Sequence, residues 1–142
     1  REDNFIAGHS MGGYGTIKYA LAEGHRFAKA CPLSAVFDAQ AFMDYKWYDY
    51  SGEAIAGISK NAKGNELDPY YLVEQAMQQH KAIPELLIMC GTEDELYEDN
   101  KKFINYLDEK QVSYLFEDGP GAHDYAYWDY AIKRAIQWFV EA

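Results

Sequence analysis

No apolar run in this chain approaches the roughly twenty residues that a membrane-spanning helix needs, and no secretory leader pattern is visible. Positive charge is scarce: 13 Lys and Arg stand against 23 Asp and Glu, for a net charge of −10 and a pI near 4.7. That balance argues against nucleic acid or an anionic membrane as partner, because both are bound through Lys and Arg. Cysteine is nearly missing. Cys31 and Cys90 lack CxxC spacing and have no histidine nearby at ligand spacing, so a zinc site is not expected. Each sits in a short apolar run that reads as a strand, and buried free thiols in neighbouring strands are expected rather than a disulfide. Those cysteines leave the compartment undecided. Internal repeats and low-complexity segments are also lacking. What remains is a chain of 142 residues, 49% hydrophobic and 16% aromatic, which has the size of one domain and can bury a core.

Strand and helix patterns alternate along it. Asn4 to His9 reads as a strand, and Gly13 to Ala22 as a helix with Tyr14, Ile17 and Leu21 on one face and Gly24 as its stop. Ala28 to Ser34 is a second strand. The stretch from Phe37 to Glu66 is irregular and rich in Tyr, Trp, Gly and charge. Asp68-Pro69 then opens a helix as N-cap and first-turn proline, carrying Leu72, Val73, Ala76 and Met77. Leu86 to Cys90 is a continuous apolar run, as expected of a parallel strand buried on both faces. Tyr97 to Glu109 is helical, Val112 to Phe116 the last strand, and Tyr127 to Val140 an amphipathic helix built on Trp128, Ala131, Ile132, Ala135, Ile136 and Phe139. Such alternation predicts an α/β fold: a roughly four-stranded parallel sheet with helices on both faces. Functional residues should then lie just beyond the carboxyl ends of strands.

One motif meets that condition at once. Gly8-His9-Ser10-Met11-Gly12 fits G-x-S-x-G, with an apolar strand leading in and a helix leading out. The pattern alone should arise by chance in roughly one chain of this length in twenty, so its context carries the weight. In a strand–turn–helix corner the serine Oγ is lifted above the sheet edge and sits at a helix N-terminus, where free N–H groups stabilise negative charge. Glycines are expected at Gly8 and Gly12 because a Cβ at either would meet the opposing backbone. The competing reading is an ordinary helix N-cap serine.

A serine hydroxyl becomes a nucleophile only when a base takes its proton and an acid orients that base. His9 lies inside the corner and should point away, whereas His25 and His80 read as solvated. His123 follows the last strand in the loop Gly119-Pro120-Gly121-Ala122-His123. For the acid, Gly91-Thr92-Glu93-Asp94-Glu95 follows the buried apolar strand, and Asp94 falls where the turn should aim a side chain back over the sheet, with Glu93 as the alternative. The chain order Ser10, Asp94, His123 is that of α/β-hydrolases.

The blocks Ala7 to Gly15, Cys90 to Asp94 and Gly121 to Trp128 together resemble the catalytic blocks of the esterase D group, which includes tributyrin-type esterases, feruloyl esterases and S-formylglutathione hydrolases. The resemblance runs through nearly the whole chain. It implies Ser10 as nucleophile, His123 as base, Asp94 as orienting acid, and a serine carboxylic-ester hydrolase that needs no metal or organic cofactor. It also implies a partial α/β-hydrolase domain, the C-terminal portion of a larger one, because in that family several strands precede the nucleophile and here only Arg1-Glu2-Asp3 precede the first strand. The backbone N–H of Met11 would be one oxyanion donor; the second normally comes from an earlier loop that this chain lacks, and losing one such donor costs roughly 100- to 1000-fold in turnover. The first strand is left as an uncovered apolar edge, so association with the missing N-terminal half, or self-association, is expected. The expected substrate is a small-molecule or carbohydrate-linked ester, short-chain acyl or feruloyl/cinnamoyl. Among the aromatics between Phe42 and Tyr50, Trp47 and Tyr48 are candidates to bind it, although such residues also serve simply to cover a sheet edge. Two other classes stay open: a non-catalytic assembly module that keeps the corner as scaffold, and an acyltransferase using the same triad.

Overall fold

A computed structural model describes residues 1–44, 52–57 and 59–141. Strand β1 (Phe5–His9) leads into helix α1 (Met11–Ala22) and, after a 3-10 turn at Gly24–Arg26, strand β2 (Lys29–Leu33). Two short helices follow, α2 (Ala39–Asp44) and α3 (Gly52–Ala56), and then α4 (Pro69–Gln78), β3 (Glu85–Gly91), α5 (Tyr97–Glu109), β4 (Leu115–Gly119) and α6 (Tyr125–Val140). The four strands pair in chain order, all parallel, so β1 and β4 are the edges. The candidate substrate-binding residues Trp47 and Tyr48, with their neighbours Tyr45 and Tyr50, lie outside the described residues.

Alternation along the two central strands builds two cores. Ala30, Leu86 and Ile88 face one way and pack with Ile17 and Leu21 of α1, Val73 of α4, and Phe103 and Leu107 of α5. Cys31, Leu33, Leu87 and Met89 face the other way, against Trp128, Ala131, Ala135 and Trp138 of α6. A strand buried on both faces must be apolar at every position, which explains the unbroken run in β3. Both cysteines are buried and free, as their apolar surroundings suggested.

Several boundaries and faces differ from the sequence reading. Strand β4 begins at Leu115, three residues beyond Val112, because β3 pairs Leu87 with Leu115 and carries the ladder through Glu117 and Asp118 to Gly119. An edge strand tolerates those carboxylates, since it is not enclosed by neighbours on both sides. Helix α1 starts at Met11 rather than Gly13, and α6 at Tyr125, where the Asp124 side chain accepts from the Tyr127 N–H as N-cap. On α6, Ile132 and Ile136 point outward with Tyr125 and Val140, because the sheet takes the stripe of Trp128, Ala131, Ala135 and Trp138. On α4, Met77 is exposed while Leu72, Val73 and Ala76 are buried. Gly24 ends no helix by a left-handed cap; a Cβ there would overlap the Ala82 carbonyl, so the residue is required by close approach. The Asp68 N-cap forms as expected, accepting from the Tyr70 N–H at 3.0 Å with Pro69 at the first helical position.

Candidate active site

The site is built where β1, β3 and β4 end. Ser10 occupies the single residue between β1 and α1, with φ 56° and ψ −117°. A non-glycine residue rarely adopts a positive φ, and holding one there costs about 1–3 kcal/mol unless the surroundings over-determine it. Here they do. The Ser10 N–H donates to the Leu33 carbonyl at 2.9 Å, and its carbonyl accepts the first helical bond, from Tyr14 N–H, at 3.0 Å. The side chain makes no capping bond to α1, which separates this serine from an ordinary N-cap.

The glycine requirement falls partly elsewhere than expected. A Cβ on Gly8 would overlap the Gly12 carbonyl, and one on Gly13 would come within 2.7 Å of the Ala35 Cβ. A Cβ on Gly12 meets nothing within 4 Å, because that face of the first helical turn points outward. Gly8→Ala is therefore expected to destabilise the fold by about 3 kcal/mol or more, since backbone cannot rotate out of the way as a side chain can. Gly12→Ala should change stability by less than about 1 kcal/mol. Paired thermal melts check this; equal melting temperatures for the two variants would refute it.

His123 Nε2 lies 2.9 Å from Ser10 Oγ, and its Nδ1 lies 2.9 Å from Asp94 Oδ2. Both spacings are within hydrogen-bond reach for proton transfer and for orientation of the ring. The Asp94 side chain is 0% exposed and that of His123 17%, so the acid is sealed and the base opens toward the surface. Asp94 keeps its second oxygen satisfied: Oδ1 accepts from the Leu96 N–H at 2.8 Å. Of the adjacent acids, Asp94 rather than Glu93 faces the imidazole. Glu93 instead binds the loop that carries the histidine. Met11 is the first residue of α1, so its N–H has no helical carbonyl one turn back and is directed out of the helix start.

Trp128 braces the histidine, a role that its core periodicity did not reveal. Its ring lies edge-on to His123 at 4.8 Å between centroids, and its indole N–H donates to the buried Ser34 Oγ at 3.1 Å. His9 turns away from the serine and stacks on the same indole at 4.1 Å. The signal that could have found Trp128 is its position one helical turn after the Asp124 cap, directly behind the histidine loop. His25 and His80 are exposed. Burial pushes the thiols of Cys31 and Cys90 well above their ordinary range, so neither is a competing thiolate nucleophile near neutral pH. Phe42 packs against the cluster of Tyr14, Val36, Ala39, Ala62 and Leu96 beside α1. Among the described residues, no group of three His, Cys, Asp or Glu side chains is placed to hold a metal ion.

Comparison with known proteins places this chain in a family. The Esterase family, described as "Putative esterase", is matched over residues 1–139. The chain belongs to that family. It is 28% identical over 149 residues to an acetyl esterase of Caldicellulosiruptor saccharolyticus, covering 97% of this chain and 54% of that protein. Among solved structures it resembles the fluorophosphonate-binding serine hydrolase FphF of Staphylococcus aureus, with a TM-score of 0.97 and 64% identity over 100% of this chain and 56% of the other. The S-formylglutathione hydrolase FrmB of the same organism matches with a TM-score of 0.91 and 64% identity, over 99% of this chain and 56% of the other. A ferulic acid esterase at 23% identity and a TM-score of 0.72 shares the fold. The chain thus spans about half the length of these relatives.

Proposed function

We propose that this chain carries the catalytic triad of a serine carboxylic-ester hydrolase. The observation that carries the reading is the unbroken relay from Ser10 Oγ through His123 to Asp94, with both links at 2.9 Å. In the proposed cycle, Ser10 Oγ bonds to the ester carbonyl carbon while His123 Nε2 takes the hydroxyl proton. The carbonyl electron pair moves onto oxygen, and the resulting oxyanion is met by the Met11 N–H at the start of α1. Asp94 holds the imidazolium through Nδ1. Collapse of the tetrahedral species breaks the bond to the alcohol oxygen, which receives the proton from Nε2. Water, deprotonated by the same imidazole, then attacks the acyl-serine; the bond from the acyl carbon to Ser10 Oγ breaks, Nε2 returns the proton to Oγ, and the acid is released.

The substrate we favour carries a small acyl group as an ester or thioester. Support comes from the acetyl esterase and S-formylglutathione hydrolase among the relatives, whose named substrates have one- or two-carbon acyl groups. A feruloyl or cinnamoyl ester would need an aromatic acyl pocket, for which Trp47 and Tyr48 remain the candidates.

A fluorophosphonate probe tests the nucleophile directly, because it phosphonylates an activated serine and leaves a covalent mark. Labelling at Ser10 that disappears in Ser10→Ala is the expected result. Labelling that persists in the alanine variant would remove Ser10 from the mechanism. Hydrolysis of acetyl, formyl-thioester and feruloyl substrates side by side then ranks the acyl groups.

A further inference from the structure

Asp94 and Glu93 are neighbours on one turn, and both reach the histidine loop at different points. Asp94 holds the ring. Glu93 holds the backbone two residues earlier: its Oε2 accepts from the Gly121 N–H at 2.7 Å, and its own N–H donates to the Gly121 carbonyl at 2.9 Å. The Thr92 hydroxyl donates to the same Oε2 at 2.7 Å, and the Thr92 N–H donates to the Gly119 carbonyl at 2.8 Å. Gly121 is hemmed in further. A Cβ on Gly91 would overlap its carbonyl, and a Cβ on Gly121 itself, where φ is 153°, would come within 2.5 Å of the Tyr127 ring.

We propose that Glu93 is a positioning residue, whose two-way clasp on Gly121 sets where His123 stands relative to Ser10. The inference rests on the triad reading above. The loop Gly-Pro-Gly-Ala has few side chains of its own to anchor it, so the carboxylate adds to the backbone bonds at Gly119 and Gly121, and a catalytic group displaced by about 1 Å can lose about 100-fold in rate. The clasp is charge-assisted, which makes it shorter and stronger than a bond between neutral groups. The Gly121 N–H, followed by the Thr92 hydroxyl, holds the Glu93 carboxyl below the usual carboxylate range, so the acceptor stays ionised through the working pH range of an imidazole base. Glu93 is exposed, which argues that it is not there to fill the core.

The test compares Glu93→Ala, Glu93→Asp and Glu93→Gln in the full-length protein, with Ser10→Ala in parallel. Alanine removes the acceptor, aspartate keeps the charge but falls short of Gly121, and glutamine keeps an acceptor oxygen at the right reach. Alanine and aspartate are expected to lower kcat by about 10- to 100-fold on p-nitrophenyl acetate with KM within about twofold, and glutamine should restore most of the loss. The downfield NMR resonance of the His123 Nδ1 proton should broaden in the alanine and aspartate variants and stay sharp with glutamine. If the alanine variant fails to fold, the aspartate and glutamine pair decides. Folded alanine and aspartate variants with wild-type kcat and an unchanged resonance would overturn the proposal, as would a loss that glutamine leaves unrepaired. Turnover that survives Ser10→Ala would instead sink the triad reading itself, so the two failures are told apart.

Discussion

Ser10→Ala and His123→Ala are each expected to lower kcat by about 10⁶-fold, and the double variant by no more than either alone. The reason lies in the shared proton. Ser10 Oγ is 2.9 Å from His123 Nε2, the ring nitrogen placed to take its proton, so without the imidazole the hydroxyl keeps that proton and attacks about as poorly as an alcohol in water. Without the hydroxyl, the imidazole has no covalent step to assist. Each deletion therefore disables one machine, and the losses do not add. A residual rate above water is expected from whatever oxyanion donors and binding contacts remain. Steady-state kinetics on p-nitrophenyl acetate check this, with circular dichroism to show that the variants fold. Losses that multiply in the double variant would mean the two residues act independently.

Asp94→Asn should lower kcat by about 10⁴-fold while leaving KM little changed. Among the described residues, Asp94 is the acid that both reaches the ring and is closed off from water, its side chain being 0% exposed. A carboxylate there requires Nδ1 to carry the proton, which leaves Nε2 free to accept the one from serine, and it then stabilises the imidazolium. An amide in the same place can turn its N–H₂ toward Nδ1 and favour the wrong tautomer, with the proton on Nε2. Fold damage should be small, because the amide oxygen can still accept from the Leu96 N–H that Asp94 Oδ1 serves at 2.8 Å. A kcat within tenfold of the parent would show that orientation comes from elsewhere, with the Trp128 brace the first suspect.

The fold was legible wherever a pattern spans only a turn or a strand. Parallel strands alternating with helices, the apolar run of β3 and the Asp68-Pro69 helix start are all written in neighbouring residues. Less legible were features that depend on what lies across a gap. Ile132 and Ile136 share the apolar spacing of α6, yet the sheet accepts a stripe one step around the helix, so both face outward. The start of β4 depends on its partner strand. Val112 is as apolar as Leu115, and the pairing of Leu87 with Leu115 decides between them. Gly8 and Gly12 look equivalent in the motif, and only the fold of the corner onto itself shows that Gly8 has no room for a side chain while Gly12 does.

The site divides along the same line. Sequence by itself determined the sharp strand-to-helix corner at Ser10, the chain order of Ser10, Asp94 and His123, and the placement of each past the end of a strand. Those are consequences of local backbone chemistry and of the element order. Asp94 was already favoured over Glu93 by its place on the turn, whereas tertiary structure alone decided that Glu93 grips Gly121 and that Trp128 stands behind His123. Consecutive side chains on a turn leave the backbone in different directions, and which direction meets a partner is set by how β3 and β4 are paired, a long-range contact that no short stretch of residues encodes.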